Sequence, residues 1–454
     1  MRQSKTILLA LFSVVLLSCE KDPPPDEPGS NEAINRWTLE QMQQYYYWNS
    51  KLPNQVTLDG KPNIFFKNLL YRDDHYSTIL QVLNSDTYGN TLANTFGFDM
   101  AQLQYNGQTM QLVTQVVPFS EANLAGLHRG DTIQQVNTQP LEGYNFAPVL
   151  EAALKLPSIQ LRLQNGKKMK LPASYISQPV VYTAQIFHKK TNVGYLFLSQ
   201  FDFSGGYSVL EAIQKFKASL VQDLILDLRY NTGGQVAFAS FCSLTLADIA
   251  PNSVFVRFRG NEKLGNREET FQSALAQQPE GYSFQAEELL QSGLQLKRIF
   301  VLTGPNTASA SEMLINSLKP YIEVIQIGTE TLGKDMASTT LSSPTQVSGH
   351  QRAWMLMPLV YKIYNKDGSG DYNSGLIPNY HTDEFAQLPL LPFGDEKDPL
   401  LQQALNIIAN NTTQSLNRKA STSAKTFTSP YFGSSYRAIP MTLPLLLPIF
   451  EKNK

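Results

Sequence analysis

Short apolar runs, each stopped by a Gly- or Pro-bearing turn, mark the second half of the chain. Val193–Phe201, Leu224–Leu228, Ile299–Leu302 and Val324–Ile327 read as buried strands. Between the last two, Gly304-Pro305-Asn306 is a turn signal. Glu312, Met313, Leu314, Ile315, Leu318 and Tyr321 then fall at helical spacing, with Pro320 near the helix end. The unit is strand, tight turn, helix, strand, and a loop ending in Gly333-Lys334. Tyr207–Ser219 is an amphipathic helix. Arg352–Tyr364 is an apolar strand-pair region, Asp367–Gly370 a turn, and Asp398-Pro399 opens a last helix to about Ile408.

Upstream the texture differs. Ala33–Leu52 places Ile34, Trp37, Leu39, Met42, Tyr45, Tyr46 and Trp48 on one helical face, and Asn63–Leu70 predicts a second helix before Asp73-Asp74-His75-Tyr76-Ser77. From about Tyr88 to Ile176 the pattern becomes β. Within it a short helix ends at Gly126, a tight turn at Arg129-Gly130-Asp131 enters strand Thr132–Val136, and Tyr144–Leu154 is a helix.

The two ends stand apart. Basic Met1–Lys5 precedes an apolar run, Ile7–Leu17, too short to span a bilayer and closed by Leu16-Leu17-Ser18-Cys19. That looks like a lipobox, with cleavage before Cys19 and acylation of its thiol. Residues 20–31 are acidic and Pro-rich and predict a semi-extended tether. Residues 411–438 are Ser/Thr-rich, a loose tail, and Met441–Phe450 is apolar and proline-broken.

With 454 residues there is room for two or three domains. A net charge of −1 gives no ground for a nucleic-acid partner, and the five histidines are scattered without metal-ligand spacing. No cofactor is expected. Besides Cys19 the one cysteine is Cys242, expected as a buried free thiol in apolar Phe238–Leu246.

The candidate chemistry lies at Thr307-Ala308-Ser309-Ala310-Ser311. Small residues at a strand-to-helix turn let a substrate backbone come close, and the first helical turn leaves its N–H groups unpaired. A serine there sits where developing negative charge is stabilised. It needs a base; no histidine is near, but Lys334 is, and desolvation can hold a lysine neutral. Read separately, the small-residue run is a helix start capped by Ser311 or Thr307, and Gly-Lys is a solvated turn.

Ser309-Ala310-Ser311-Glu312, with a lysine twenty-five positions on, resembles the C-terminal-processing (tail-specific) serine proteases. The resemblance runs from about residue 35 to 408. Asp227-Leu228-Arg229-Tyr230-Asn231-Thr232-Gly233-Gly234 resembles that family's D-L-R-x-N-x-G-G block, and Gly375–Tyr380 its G-I-x-P-D segment. Ala125-Gly126-Leu127 with Gly130-Asp131 resembles the PDZ signature, which captures a peptide C-terminus as an added strand. The resemblance implies an α+β multidomain chain: signal peptide 1–18, lipidated tether 19–32, helical N-terminal cap 33–86, PDZ-like β domain 87–178, α/β protease core of the crotonase-like/ClpP-like type 179–410, and tail 411–454. It implies Ser309 as nucleophile, Lys334 as base, Ala310 with Gly233 or Gly234 as oxyanion hole, and Phe96-Gly97-Phe98 as carboxylate loop. It implies a protein or peptide substrate held by its C-terminus, and, with the lipobox, a cell-envelope lipoprotein anchored through Cys19 and expected at the outer membrane.

Two departures matter. Ser338 stands where the family often has a glutamine that orients the lysine, and Asp335 replaces the usual glycine; strand alternation predicts that Asp335 faces out. The competing classes are a non-catalytic peptide- or ligand-binding lipoprotein on the same fold, and an envelope scaffold acting through peptide capture.

Overall fold

The computed structural model describes residues 30–82, 91–105, 107–343 and 353–410, and beyond these the backbone of Tyr431–Phe432 and Thr442–Leu443. The expected leader, Cys19, most of the tether and most of the tail lie outside the described residues.

The first lobe opens with α1 (Asn31–Tyr45), capped by Ser30, whose Oγ accepts from Ala33 N at 3.1 Å. Next come α2 (Pro62–Leu69), with proline in its first turn, and β1 (Thr78–Val82). The helix expected to reach Leu52 stops at Tyr45. Tyr46 adopts extended φ/ψ, and its buried ring joins Met42, Phe65, Phe66, Leu69 and Ile79 in the lobe's core. Burial of that phenol is worth more than the remaining helical turn, so tertiary packing overrides the period. Trp48 therefore lies past the helix.

The second lobe contains α3 (Leu92–Phe96), β2 (Phe98–Tyr105), β3 (Gln108–Val116), α4 (Glu121–Leu124), β4 (Ile133–Val136), β5 (Gln139–Pro140), α5 (Phe146–Ala153), β6 (Ser158–Leu163) and β7 (Lys168–Pro172). A β2–β3 hairpin and a sheet of order β5-β4-β6-β7 close over one core with Phe96, Phe98, Leu127, Ile133, Leu150 and Leu161. Strand β6 alternates inside and outside, as a half-exposed sheet requires.

The third and largest lobe runs through β8 (Val181–His188), β9 (Asn192–Leu198), α6 (Gly206–Ala218), β10 (Val221–Asp227), α7 (Val236–Leu246), β11 (Val254–Arg259), β12 (Asn266–Thr270), α8 (Phe271–Leu275), α9 (Ala286–Ser292), β13 (Arg298–Thr303), α10 (Ala310–Leu318), β14 (Glu323–Gly328), β15 (Met336–Thr339), β16 (Leu341–Ser342), β17 (Ala353–Met357), β18 (Leu359–Tyr364), β19 (Tyr380–His381) and α11 (Pro399–Asn410). Its main sheet has the order β19-β14-β13-β10-β9-β8, parallel from β19 to β9 with β8 antiparallel at the edge. Leu224, Leu226, Ile299 and Val301 face one core with α6, α7 and α10; Ile225, Phe300 and Leu302 face another with α11. Covered on both faces, these strands read as continuous apolar runs, which is why they were visible in the pattern. Cys242 is buried in α7 as a free thiol.

Beyond α11, β20 (Tyr431–Phe432) pairs antiparallel with β2 at Ala101–Gln102, and β21 (Thr442–Leu443) pairs parallel with β15 at Ser338–Thr339. Here the expectation of a loose tail meets two short backbone pairings.

Candidate active site

The parallel strands bring three loops together at their C-terminal ends, where open α/β sheets form sites. The first leaves β10 through Leu228 and reaches Gly233-Gly234. The second leaves β13 and turns into α10 at Ser309. The third leaves β14 and carries Gly333-Lys334.

Ser309 is the N-cap of α10, with φ 62° and ψ −118°. A side chain other than glycine is sparsely found there, and such a conformation persists only where its surroundings over-determine it. They do so here. Thr307 Oγ1 donates to Leu228 O at 2.8 Å, Ala308 N to Asn231 O at 3.1 Å, and Ser311 Oγ to Asn231 O at 3.0 Å. Neither Thr307 nor Ser311 is the cap; both stitch the serine turn to the β10 loop. Ser309 Oγ is buried and has no hydrogen-bond partner among the described residues.

Gly233 and Gly234 divide the work differently from expectation. A Cβ on Gly233 would lie 2.7 Å from Ser309 Cβ and 2.8 Å from Ala310 N, so glycine lets the two loops touch. Its own N–H, however, donates to Asn231 Oδ1 at 2.9 Å. That corrects the expectation that Gly233 could offer an oxyanion donor. The amides of Gly234 and Ala310 have no acceptor among the described residues.

Glu312 is the joint of the site, and sequence reasoning quoted it without a role. Oε2 accepts from Ser309 N at 2.8 Å and from Lys334 N at 2.9 Å; Oε1 accepts from Gly333 N at 2.6 Å and Thr331 Oγ1 at 2.5 Å. Both candidate residues thus hang by their amides from a single carboxylate oxygen. Burial pushes the Glu312 carboxyl up to about 7, against the pull of these four donors. Three of them are amides, which can donate but not accept, and we read the group as the carboxylate. Gly375-Leu376, from the segment singled out earlier, steadies the same loop: Leu376 N donates to Thr331 Oγ1 at 2.7 Å.

Lys334 is fully buried, and desolvation brings its amine down to about 7, although Glu312 and Asp74 favour the charged form. Asp335 is buried too, against the expectation that it faces out. It makes an ion pair with Lys362 at 3.5 Å. Its partner lies on β18, the strand next to β15 in the same sheet, and the pairing holds Asp335 inside rather than out in solvent. Ser338, four residues on, is buried on β15.

A charged cluster behind the site went unseen in the sequence. Arg229 is fully buried between Asp227 (2.8 Å), Asp398 (2.9 Å) and Glu384 (3.2 Å), and Tyr195 donates to Asp227 at 2.7 Å. Arg129, from the second lobe's tight turn, lies over the Phe393 ring at 4.2 Å and pairs with Glu384. Two charged residues flanking Leu228 at the end of an apolar strand were the available signal. The further carboxylates that pair with Arg229 come from positions 384 and 398 and carried none.

Phe96-Gly97-Phe98 is not an open amide nest. Gly97 (φ 83°) ends α3 in the left-handed region and donates its N–H to Ala93 O and Leu92 O, while both phenylalanines are buried in the lobe's core. The carboxylate-loop expectation at Gly97 is corrected: helix capping uses the amide that would have bound the anion.

Residues 192–382 match the model for peptidase family S41, and residues 33–78 that for the peptidase S41 N-terminal domain. A protein of Staphylococcus epidermidis (strain ATCC 12228) named as a CtpA-like serine protease is 23% identical over 447 residues, covering 93% of this chain and 82% of the relative. The carboxy-terminal processing protease CtpA of Bacillus subtilis (strain 168) is 23% identical over 357 residues, covering 78% of this chain and 69% of its own. Among solved structures, a protein of Bacteroides fragilis NCTC 9343 assigned to the S41 proteases is 27% identical with a TM-score of 0.66, covering 86% of this chain and 100% of its own. With the N-terminal and catalytic regions both present and in order, the chain belongs to peptidase family S41.

Proposed function

We propose that the protein is a serine endopeptidase that works through Ser309 and Lys334. The observation that carries this reading is the shared Glu312 oxygen, which holds the amides of both residues. Neutral Lys334 takes the proton of Ser309 as its Oγ adds to the scissile carbonyl. The carbonyl oxygen, now negative, is stabilised by the Ala310 amide at the N-terminus of α10 and the Gly234 amide of the loop after β10. Lys334 then protonates the leaving amine, and water repeats the sequence to release the acyl group. Ser338 is proposed to orient the amine. No cofactor enters these steps.

The test is incubation of residues 20–454 with an unfolded protein, beside Ser309→Ala, across pH. A lysine base acts when neutral, and its lowered value of about 7 means that activity rises through neutrality and levels above it. An unperturbed lysine would put that limb near ~10.4. Absence of cleavage at every pH, or cleavage by Ser309→Ala, overturns the reading.

The second lobe is proposed as a PDZ-like domain that takes a substrate C-terminus as a strand beside β2. Support comes from α5 and from an edge of β2 that already accepts a backbone segment. The mature chain is proposed to start at Cys19 and to be held at the outer membrane by its acyl chains, since one chain gives only marginal anchoring. Cys19→Ser then moves the protein from the membrane pellet to the soluble fraction; retention in the pellet rules out the lipid anchor.

A further inference from the structure

The turn from Tyr71 to Ser77 belongs to the first lobe, yet it ends against the catalytic lysine of the third. Its anchors are specific. Tyr71 N donates to Tyr46 Oη at 3.0 Å, fixing the start of the turn to the lobe's core. Asp74 Oδ1 accepts from Tyr76 N at 3.0 Å and Ser77 N at 2.8 Å, closing it. Leu359 N donates to Ser77 Oγ at 2.8 Å, and β1 pairs with β17 directly afterwards, so the far end is fixed to strands beside the site. Between these anchors the Tyr76 ring lies over Lys334, its centroid 5.5 Å from Nζ.

We propose that Tyr76 is a positioning residue for Lys334: its ring is the wall that keeps water off the amine and holds Nζ on the Ser309 side of the loop. This rests on the reading of Lys334 as the base. The ring can serve both protonation states. It excludes solvent, which favours the neutral amine, and its negative face receives the ammonium that forms when the proton arrives from serine. The groups facing this corner come from every neighbouring element. They are Glu312 from α10, Asp74 from the turn, Asp335 just before β15 with its partner Lys362 on β18, and the buried Tyr372 phenol. Burial near Glu312 and Asp335 pushes the Tyr76 phenol up to about 12, so it stays neutral wherever the enzyme works. The hydroxyl therefore carries no charge change; the ring carries the effect.

The experiment has two arms. In the first, cleavage is measured against pH for wild type, Tyr76→Phe and Tyr76→Ala. The expected result is an unchanged ascending limb for Phe and an alkaline shift of about one unit for Ala, with activity at pH 7 down about fivefold and recovered in alkali. The second arm does not need catalysis. In a Ser309→Ala background, amidination of Lys334 by methyl acetimidate is followed by mass spectrometry, with thermal melting as the control for folding. Lys334 stays unreacted with Tyr76 present and reacts in Tyr76→Ala; Tyr76→Val replaces it if the Ala variant shows no melting transition. If wild type does not cleave but the ring still protects Lys334, the endopeptidase reading falls and the wall remains. If the limb and the amidination rate are both unchanged without the ring, Tyr76 is only packing and the inference is wrong.

Discussion

Ser309→Ala and Lys334→Met each lower cleavage by about 10⁴-fold or more, and the double variant is no worse, because residues that act as a unit are not additive. Ser309→Ala removes only the hydroxyl at the start of α10 and keeps the amide that Glu312 holds, so its effect on stability is at most that of a helix cap, about 1 kcal/mol. Lys334→Met keeps the volume of the side chain and removes an amine that burial disfavours. The sign of its stability effect follows from linkage. The amine sits near 7 in the folded chain and near ~10.4 unfolded, so unfolding takes up a proton between those values. The amine is therefore destabilising in full below about pH 7, and the effect fades as pH rises towards the unfolded value. Lys334→Met should raise the melting temperature most in acid while abolishing activity. Ser311→Ala loses one buried bond to Asn231 O, worth about 1 kcal/mol, and keeps most activity. A dead Ser311→Ala beside an active Ser309→Ala would move the nucleophile to the other serine.

Glu312→Ala damages stability and activity together. It strips the acceptor from three amides and one hydroxyl in a buried site, each unsatisfied group costing about 1–3 kcal/mol. The serine turn, held in an uncommon backbone conformation, then loses one of its ties, and the Lys334 loop loses its link to that turn. A displacement of about 1 Å between reacting groups costs on the order of 100-fold in rate. The expected result is a melting temperature lowered by many degrees and kcat/KM down at least that far. Glu312→Gln is not a rescue, because its amide group must point N–H at N–H on one side. Full activity and unchanged melting in Glu312→Gln would mean that the carboxylate does not position the pair.

The PDZ-like signature shows the limits of motif reading. Arg129 was legible as part of a tight turn, and the turn is there. Its side chain turns instead into the interface with the third lobe, stacked on Phe393 and paired with Glu384. A turn motif specifies backbone geometry; the destination of a long side chain depends on which lobe packs beside it.

Local physics made much of this protein readable from the chain. Strands buried on both faces appear as apolar runs, so β10, β13 and β14 stood out. Small residues at a strand-to-helix junction mark a place of close backbone approach, so Ser309 and its turn stood out as well. Lys334 stood out as the amine on the next strand's loop, and its spacing from that turn gained weight only through the resemblance to the tail-specific proteases. Contacts between distant segments left no such trace. The amide of Gly233 is taken by Asn231, and that of Gly97 by the end of α3; neither use follows from the glycine itself. Asp335 was expected to face out, but Lys362, reached only through the pairing of β15 with β18, holds it inside. Glu312 lies on a helix start where acidic residues are common, and only the fold brings Thr331, Gly333 and Lys334 to its oxygens. Tyr76 meets Lys334 across more than half the chain's length because two unrelated anchors, Tyr46 and Leu359, fix its turn there. Sequence period reports burial and backbone shape, which are local; the partner of a buried polar group is decided by packing, which is not.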